Sequence, residues 1–171
     1  TIAYNVMLKA FTSFYSFAPS IYLNDHRIIM SPNRSNETQV FIHNENDYGS
    51  FYGSLFPSNI QFLINPEIGN TKVFDNFQWH SEVTNASVTD LPTTFNTLQC
   101  STDYQDSGLL TLVNNGNIKR RERTWNMAVP RNTRRERLRD KYMTVDLYYT
   151  NSANKRFVMN WLKTIFRSSK R

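Results

Sequence analysis

Three histidines, one cysteine and a few paired carboxylates are the residues of this 171-residue chain that could do chemistry. His26, His43 and His80 stand far apart, and none has a second donor two or four positions away, the spacing at which zinc ligands cluster. Asp25-His26 is an adjacent pair that reads as a turn. The run Asn44-Glu-Asn-Asp-Tyr-Gly49 has the flavour of a calcium loop, but its twelfth position, where such a loop closes on glutamate, is Leu55. Cys100 lies in a strand-like run with no histidine nearby, which predicts a buried, inert thiol. The pairs Asp103/Asp106 and Glu45/Asp47 sit in Asn/Ser-rich turns, where aspartate normally caps the backbone. No Gly-x-Ser-x-Gly elbow occurs, and the five glycines are too scattered to cradle a phosphate. The expectation is a non-enzyme without metal or cofactor.

What does concentrate is charge. Between Lys119 and Lys141 there are ten Lys/Arg against Glu122, Glu136 and Asp140, a local +7, while the rest of the chain sums to −1. The whole net charge of +6 therefore comes from one segment. Arginine forks suit both phosphate and carboxylate, so the block fits docking onto an acidic partner, contact with nucleic acid, or a solvated loop. Trp125, Pro130 and Tyr142 give it apolar anchors that a freely solvated tail would not need. The predicted docking residues are Arg120, Arg121, Arg123, Trp125, Arg131, Arg134, Arg135, Arg137, Arg139 and Tyr142. DNA contact remains open as a transient one, and exposed Tyr and Trp leave glycan binding as a third reading.

The elements that must hold this block are strands. Aromatic residues make up 14% of the chain, and that weighting favours pleated, half-buried surfaces over helices. Turn signals recur about every 8 to 15 residues, the rhythm of sandwiches, barrels or propellers. Strands are predicted at residues 2–11, 59–65, 71–83, 95–100, 109–113 and 142–149, with polar loops at 31–38 and 44–49. Asp75-Asn76 marks a kink or bulge in the third of these. In the last, Met143, Val145, Leu147 and Tyr149 share one face. Residues 157–166 fit both a helical stripe and a strand, and the linker Asn151-Ser-Ala-Asn154 favours a terminal hairpin over a final helix. The fold expected is mainly β, with sandwich- or propeller-like antiparallel sheets and an irregular basic segment. Its parts would be a body (1–116), the docking segment (117–141) and a hairpin or strand-helix (142–171).

With a single cysteine no internal disulfide can form, which suits a reducing compartment or a virion assembled in cytosol. No apolar run is long enough for a spanning helix, and the first residues do not read as a signal peptide. The sequons at Asn33, Asn36 and Asn85 are expected by chance in so Asn-, Ser- and Thr-rich a chain. The missing initiator Met suggests one domain of a larger or processed protein.

Several stretches together resemble the C-terminal portion of the tail muzzle, or stabilisation, proteins of crAss-like bacteriophages. They are Phe11-Thr-Ser-Phe-Tyr-Ser-Phe-Ala-Pro19, Phe51-Tyr-Gly53, Asn70-Thr-Lys-Val-Phe-Asp-Asn76, Trp125, Pro130-Arg131, Arg134, Arg137-Leu-Arg-Asp-Lys-Tyr142 and Phe166-Arg-Ser168. The resemblance implies a non-enzymatic virion protein at the distal end of a short tail, distantly like podophage nozzle proteins. It further implies a ring of copies around the DNA exit channel, touching tail hub or ring proteins and the upstream part of its own precursor. Such a ring helps retain genome and cargo, and would be assembled in the host bacterial cytoplasm. No catalytic residue is carried over.

Overall fold

A computed structural model describes residues 1–43, 48–85, 87, 89–151 and 155–169. Within it the chain forms two units, residues 1–56 and 57–171, and every assigned element among the described residues is a strand. The mainly β expectation holds.

Unit 1 is built of short antiparallel pairs. β1 (Ile2–Asn5) pairs with β2 (Ala10–Phe14), and β4 (Ile28–Asn33) lies between β3 (Leu23–Asp25) and β5 (Asn36–Ile42). β6 (Ser50–Phe51) and β7 (Ser54–Leu55) are joined by Tyr52-Gly53, both at positive φ (53° and 76°), the geometry of a two-residue hairpin turn. Two expectations change here. Residues 2–11 are not one strand, because Asn5 Oδ1 accepts from the Leu8 amide and Lys9 takes a left-handed φ of 51°, folding the chain back on itself. The polar stretch 31–38 is mostly strand, with Arg34-Ser35 as its turn; polar side chains are tolerated there because much of β5 faces solvent. The unit's interior is one aromatic cluster, with the Phe17 ring 4.4 Å from Phe51 and 5.2 Å from His43.

Unit 2 holds the main core. Its axis is β9 (Lys72–Thr84), whose side chains alternate between core and solvent. β17 (Arg156–Ser168) runs along one edge of β9 for its full length. Along the other edge lie, in succession, β15 (Arg139–Asp140), β14 (Thr124–Ala128) and β10 (Asp90–Leu91), with β13 (Lys119–Arg121) outside β14. A second sheet has the order β12 (Leu110–Thr111), β11 (Thr97–Ser101), β16 (Met143–Tyr149), β8 (Ser58–Ile64). Both sheets feed one apolar cluster, in which Trp79 and Trp125 stack at 6.4 Å against Phe74, Phe77, Leu98, Val145 and Leu147. Each such side chain contributes about 1.5–3 kcal/mol on burial, so this shared interior is what holds the two sheets together.

The bulge expected at Asp75-Asn76 is present: Ile165 pairs Asn76 while Phe166 pairs Phe74, leaving Asp75 as the extra residue. It switches the inward set from Lys72 and Phe74 to Phe77, Trp79, Ser81 and Val83, so Val73 faces the opposite way from Phe77. A second bulge at Asn160 explains why residues 157–166 also fit a helix. Phe157 and Met159 point inward, then Leu162 and Phe166, and the jump of three across the bulge imitates helical spacing.

β16 buries Met143, Val145, Leu147 and Tyr149 as expected. The terminal hairpin does not close on itself. β16 pairs with β11 and β8, whereas β17 crosses to β9 in the other sheet, where Leu162 and Phe166 meet the core. The linker residues 152–154, like the Glu45/Asp47 pair and Ala86 of the third sequon, lie outside the described residues. The basic segment is not wholly irregular either, since its first half is the β13–β14 hairpin.

Candidate docking surface

The ten basic residues between 119 and 141 divide into two groups. Three arginines are tied to carboxylates of the same sheet. Arg120 pairs with Asp90 at 2.7 Å, and its guanidinium lies 5.5 Å from the Trp125 ring centroid. Arg123 reaches Glu82 at 3.2 Å and Asp90 at 3.4 Å. Arg137 binds Asp75 at the β9 bulge, where Arg167 of β17 also approaches at 3.4 Å. These contacts clamp the hairpin and the following loop to the large sheet, so these arginines serve the fold first.

The second group faces outward. Arg121, Arg134, Arg135 and Arg139 are exposed and have no carboxylate partner among the described residues, and the same holds for Lys119 and Lys141. Arg131 Nη1 donates to the Arg135 carbonyl at 2.9 Å, bracing the loop rather than neutralising its charge. That loop is ordered from below. Val129 and Leu138 are buried, the Phe74 amide donates to the Leu138 carbonyl, and Asn132 Oδ1 accepts from the amides of Arg134 and Glu136. The outcome is a firm scaffold bearing unpaired guanidinium groups.

Trp125 belongs to the interior: it is fully buried and stacked on Trp79, out of reach of any partner. Tyr142 donates its hydroxyl to Asp103, and that hydrogen bond holds the phenol above its usual pKa. The structure therefore leaves Arg121, Arg131, Arg134, Arg135 and Arg139 exposed and without carboxylate partners among the described residues, with Arg121 at the His80 level of β9 and Arg139 at the Val73 level. Arg120, Arg123, Arg137, Trp125 and Tyr142 are instead engaged in contacts within the unit.

The remaining chemistry-bearing residues are scattered. No cluster of three or more metal-ligating side chains occurs among the described residues. His26 is almost fully exposed beside Asp25. His43 Nε2 lies 2.6 Å from Ser31 Oγ, which in turn meets the Tyr52 hydroxyl at 2.7 Å. Ser31 is completely buried, so this arrangement offers no nucleophile to a substrate. Cys100 is buried, and desolvation first, then the charges of Asp146 and Asp106, push its thiol far above the usual range. Asp106 accepts from the Gly108 amide and from Gln99 Nε2, and Asp140 accepts from the Asp103 amide, so these carboxylates are engaged in turns and cross-strand contacts.

A family model described as the Crassvirus muzzle protein C-terminal domain matches residues 46–132, just over half of the chain. The chain belongs to the crassvirus muzzle protein C-terminal domain family. It is thus a structural component of a phage tail, as the sequence resemblance implied. No curated protein matches it. The matched stretch ends at Asn132, so Arg120 to Arg131 lie inside the muzzle match, while Arg134 to Tyr142 and all of β16 and β17 lie beyond it.

Sequence reasoning missed the acids that neutralise three of the segment's eight arginines. Glu82 and Asp90 lie 30 to 41 positions from their partners, and Asp75 lies 62 from Arg137. The local signal was the bulge at Asp75, which turned out to be a binding point for two arginines. Also missed was the apolar exposure of unit 1: Val6, Met7, Leu8, Phe11 and Phe14 are each at least 67% exposed. The alternation around them was visible, but not that no described residue of the unit covers it.

Proposed function

We propose that this muzzle domain is one copy in a ring at the distal end of the tail. The ring closes the DNA exit channel and helps retain genome and cargo. Segment 117–141 is the docking part, meeting acidic surfaces of neighbouring copies or of tail hub and ring proteins, and the chain is placed there during assembly in the host cytoplasm. The observation that carries this reading is the split among the arginines. Arg131, Arg134, Arg135 and Arg139, on the loop anchored by Val129 and Leu138, and Arg121, on β13, stand without carboxylate partners among the described residues. Desolvated against carboxylates, such forks give bidentate, orientation-specific contacts. The open apolar surface of unit 1 supports a multi-subunit setting, since contiguous exposure of that kind marks interaction sites.

The test is charge reversal of Arg134, Arg135 and Arg139 to Glu, followed by particle purification and imaging. The variant should fold with an unchanged melting temperature yet be absent from tails. Normal incorporation would sink the docking role. A second reading, nucleic-acid contact through the same unpaired arginines, predicts DNA affinity that falls steeply with salt. A flat dependence of log affinity on log salt removes it.

A further inference from the structure

The outward face of the large sheet bears a second feature, independent of the arginine loop. Register places Lys119, Asn126, Gln78 and Lys163 in one row across β13, β14, β9 and β17. Beneath the first three opens a cleft of about 320 Å³, within the size range of small-ligand sites, lined on its polar side by Asn76, Gln78, Asn126 and Lys119 and on its apolar side by Ile165. Among the described residues no carboxylate lines it. The side-chain amides of Asn76 and Gln78 have no hydrogen-bond partner among the described residues, and that of Asn126 makes only a long 3.5 Å contact to the Thr124 carbonyl. Each free carboxamide offers donors and acceptors side by side.

The adjacent row ends in Trp161, paired with His80. The two rings lie nearly parallel (17°), 6.1 Å apart, and Trp161 remains 44% exposed. The platform is held in place. Asn160 Nδ2 donates to His80 Nδ1 at 2.6 Å, which leaves the Nε2 proton directed at Glu82, 3.6 Å away, itself fixed by Arg123. The Asn160 bulge is what turns Trp161 outward beside that amide. Along β17 the ring sits two residues, about 7 Å, from Lys163.

We propose that this cleft and the Trp161 platform together form an oligosaccharide-binding site. A pyranose has an apolar ring face that packs on an indole and a rim of hydroxyls that both donate and accept, matching amides rather than point charges. Lys119 and Lys163 permit a carboxylate-bearing sugar. A phosphate chain fits less well, because Arg123, Arg137 and Arg167 are matched by Glu82 and Asp75. Of the arginines on these two rows only Arg121, at the far end of the row of Thr124, His80 and Trp161, has no carboxylate partner among the described residues.

The chain has its own reporter. Of the three tryptophans, Trp79 and Trp125 are fully buried, so quenching of tryptophan fluorescence by acrylamide in the folded protein reads Trp161. The experiment screens the protein on an array of bacterial capsular and O-chain oligosaccharides and then titrates the strongest hit while recording acrylamide quenching. Expected are saturable protection of the quenchable tryptophan in the unaltered protein and, by isothermal titration calorimetry, at least a tenfold loss of affinity in both Trp161→Ala and Gln78→Ala, with Arg134→Ala unchanged. Near-UV circular dichroism of each variant establishes that the fold is intact, and Gln78→Ala keeps the test decisive if Trp161→Ala unfolds. No saturable hit at millimolar sugar overturns the proposal, as does binding unaffected by both variants. Salt-dependent protection by oligothymidylate without any sugar hit also overturns it, in favour of single-stranded DNA.

Discussion

Lys72→Met should destabilise unit 2 by about 2 kcal/mol, and the structure shows why. Lys72 is completely buried at the start of β9, yet no carboxylate among the described residues accompanies it. Its ammonium instead donates to three oxygens of the preceding loop: Asn65 Oδ1 at 3.3 Å, the Glu67 carbonyl, and the Asn70 carbonyl at 2.9 Å. That loop, turned by Gly69 at φ 90°, joins β8 of one sheet to β9 of the other. The lysine thereby ties the crossover between sheets. Hydrogen bonds from a charged donor contribute about 1.5–3 kcal/mol each. Methionine keeps the apolar stem and removes the cost of desolvating an ammonium, which offsets roughly half of that total. The two carbonyls belong to exposed residues and regain water when released, leaving a net loss near 2 kcal/mol and a melting-temperature fall of about 6–10 °C. Urea unfolding of the two proteins followed by tryptophan fluorescence measures it, and hydrogen exchange should show the Asn70 amide opening faster in the variant. A difference below about 0.5 kcal/mol, or a more stable variant, would refute the view that the ammonium holds the crossover.

Three further outcomes follow from other sites. Arg120→Met removes a 2.7 Å ion pair whose side chains are 18% and 27% exposed, together with the cover over Trp125, and should cost about 1.5–3 kcal/mol in denaturant titration. An effect near zero would mean that Arg123 alone satisfies Asp90. Cys100 should resist Ellman's reagent in native buffer and label only as urea unfolds unit 2; stoichiometric native labelling would contradict its burial and raised pKa. His43 has its pKa lowered by desolvation, so the unfolded chain binds its proton more readily than the folded one. Its contribution is fully present above the unfolded value of about 6.5 and is lost as pH falls below it. Unit 1 should therefore melt earlier at pH 5 than at pH 7.5, and His43→Gln should flatten that difference; an unchanged slope would place the sensitivity elsewhere.

How much of the fold was legible follows from the range of each signal. Alternation is a property of five to ten consecutive residues, and wherever it ran unbroken, as through Met143, Val145, Leu147 and Tyr149, strand and buried face were both readable. Wherever a bulge intervened, the local signal misled. At Asp75 it put Val73 in phase with Phe77, and at Asn160 it made a strand imitate a helix. Turn chemistry was legible only in part, since Asn5 and Lys9 broke an otherwise continuous strand through a side-chain acceptor and one left-handed residue.

For the site, the sequence by itself determined that charge is concentrated between residues 119 and 141, that strands dominate, and that local metal and nucleophile spacings are missing. Tertiary structure decided which of those charges are free. Arg120, Arg123 and Arg137 are neutralised by acids 30 to 62 positions away, brought close only when β14 and its following loop settle on β9. It likewise decided that Trp125 is core and Trp161 is surface, though both are tryptophans in alternating strands. Composition and period are fixed by neighbours along the chain, whereas pairing and exposure depend on which strand comes to lie alongside.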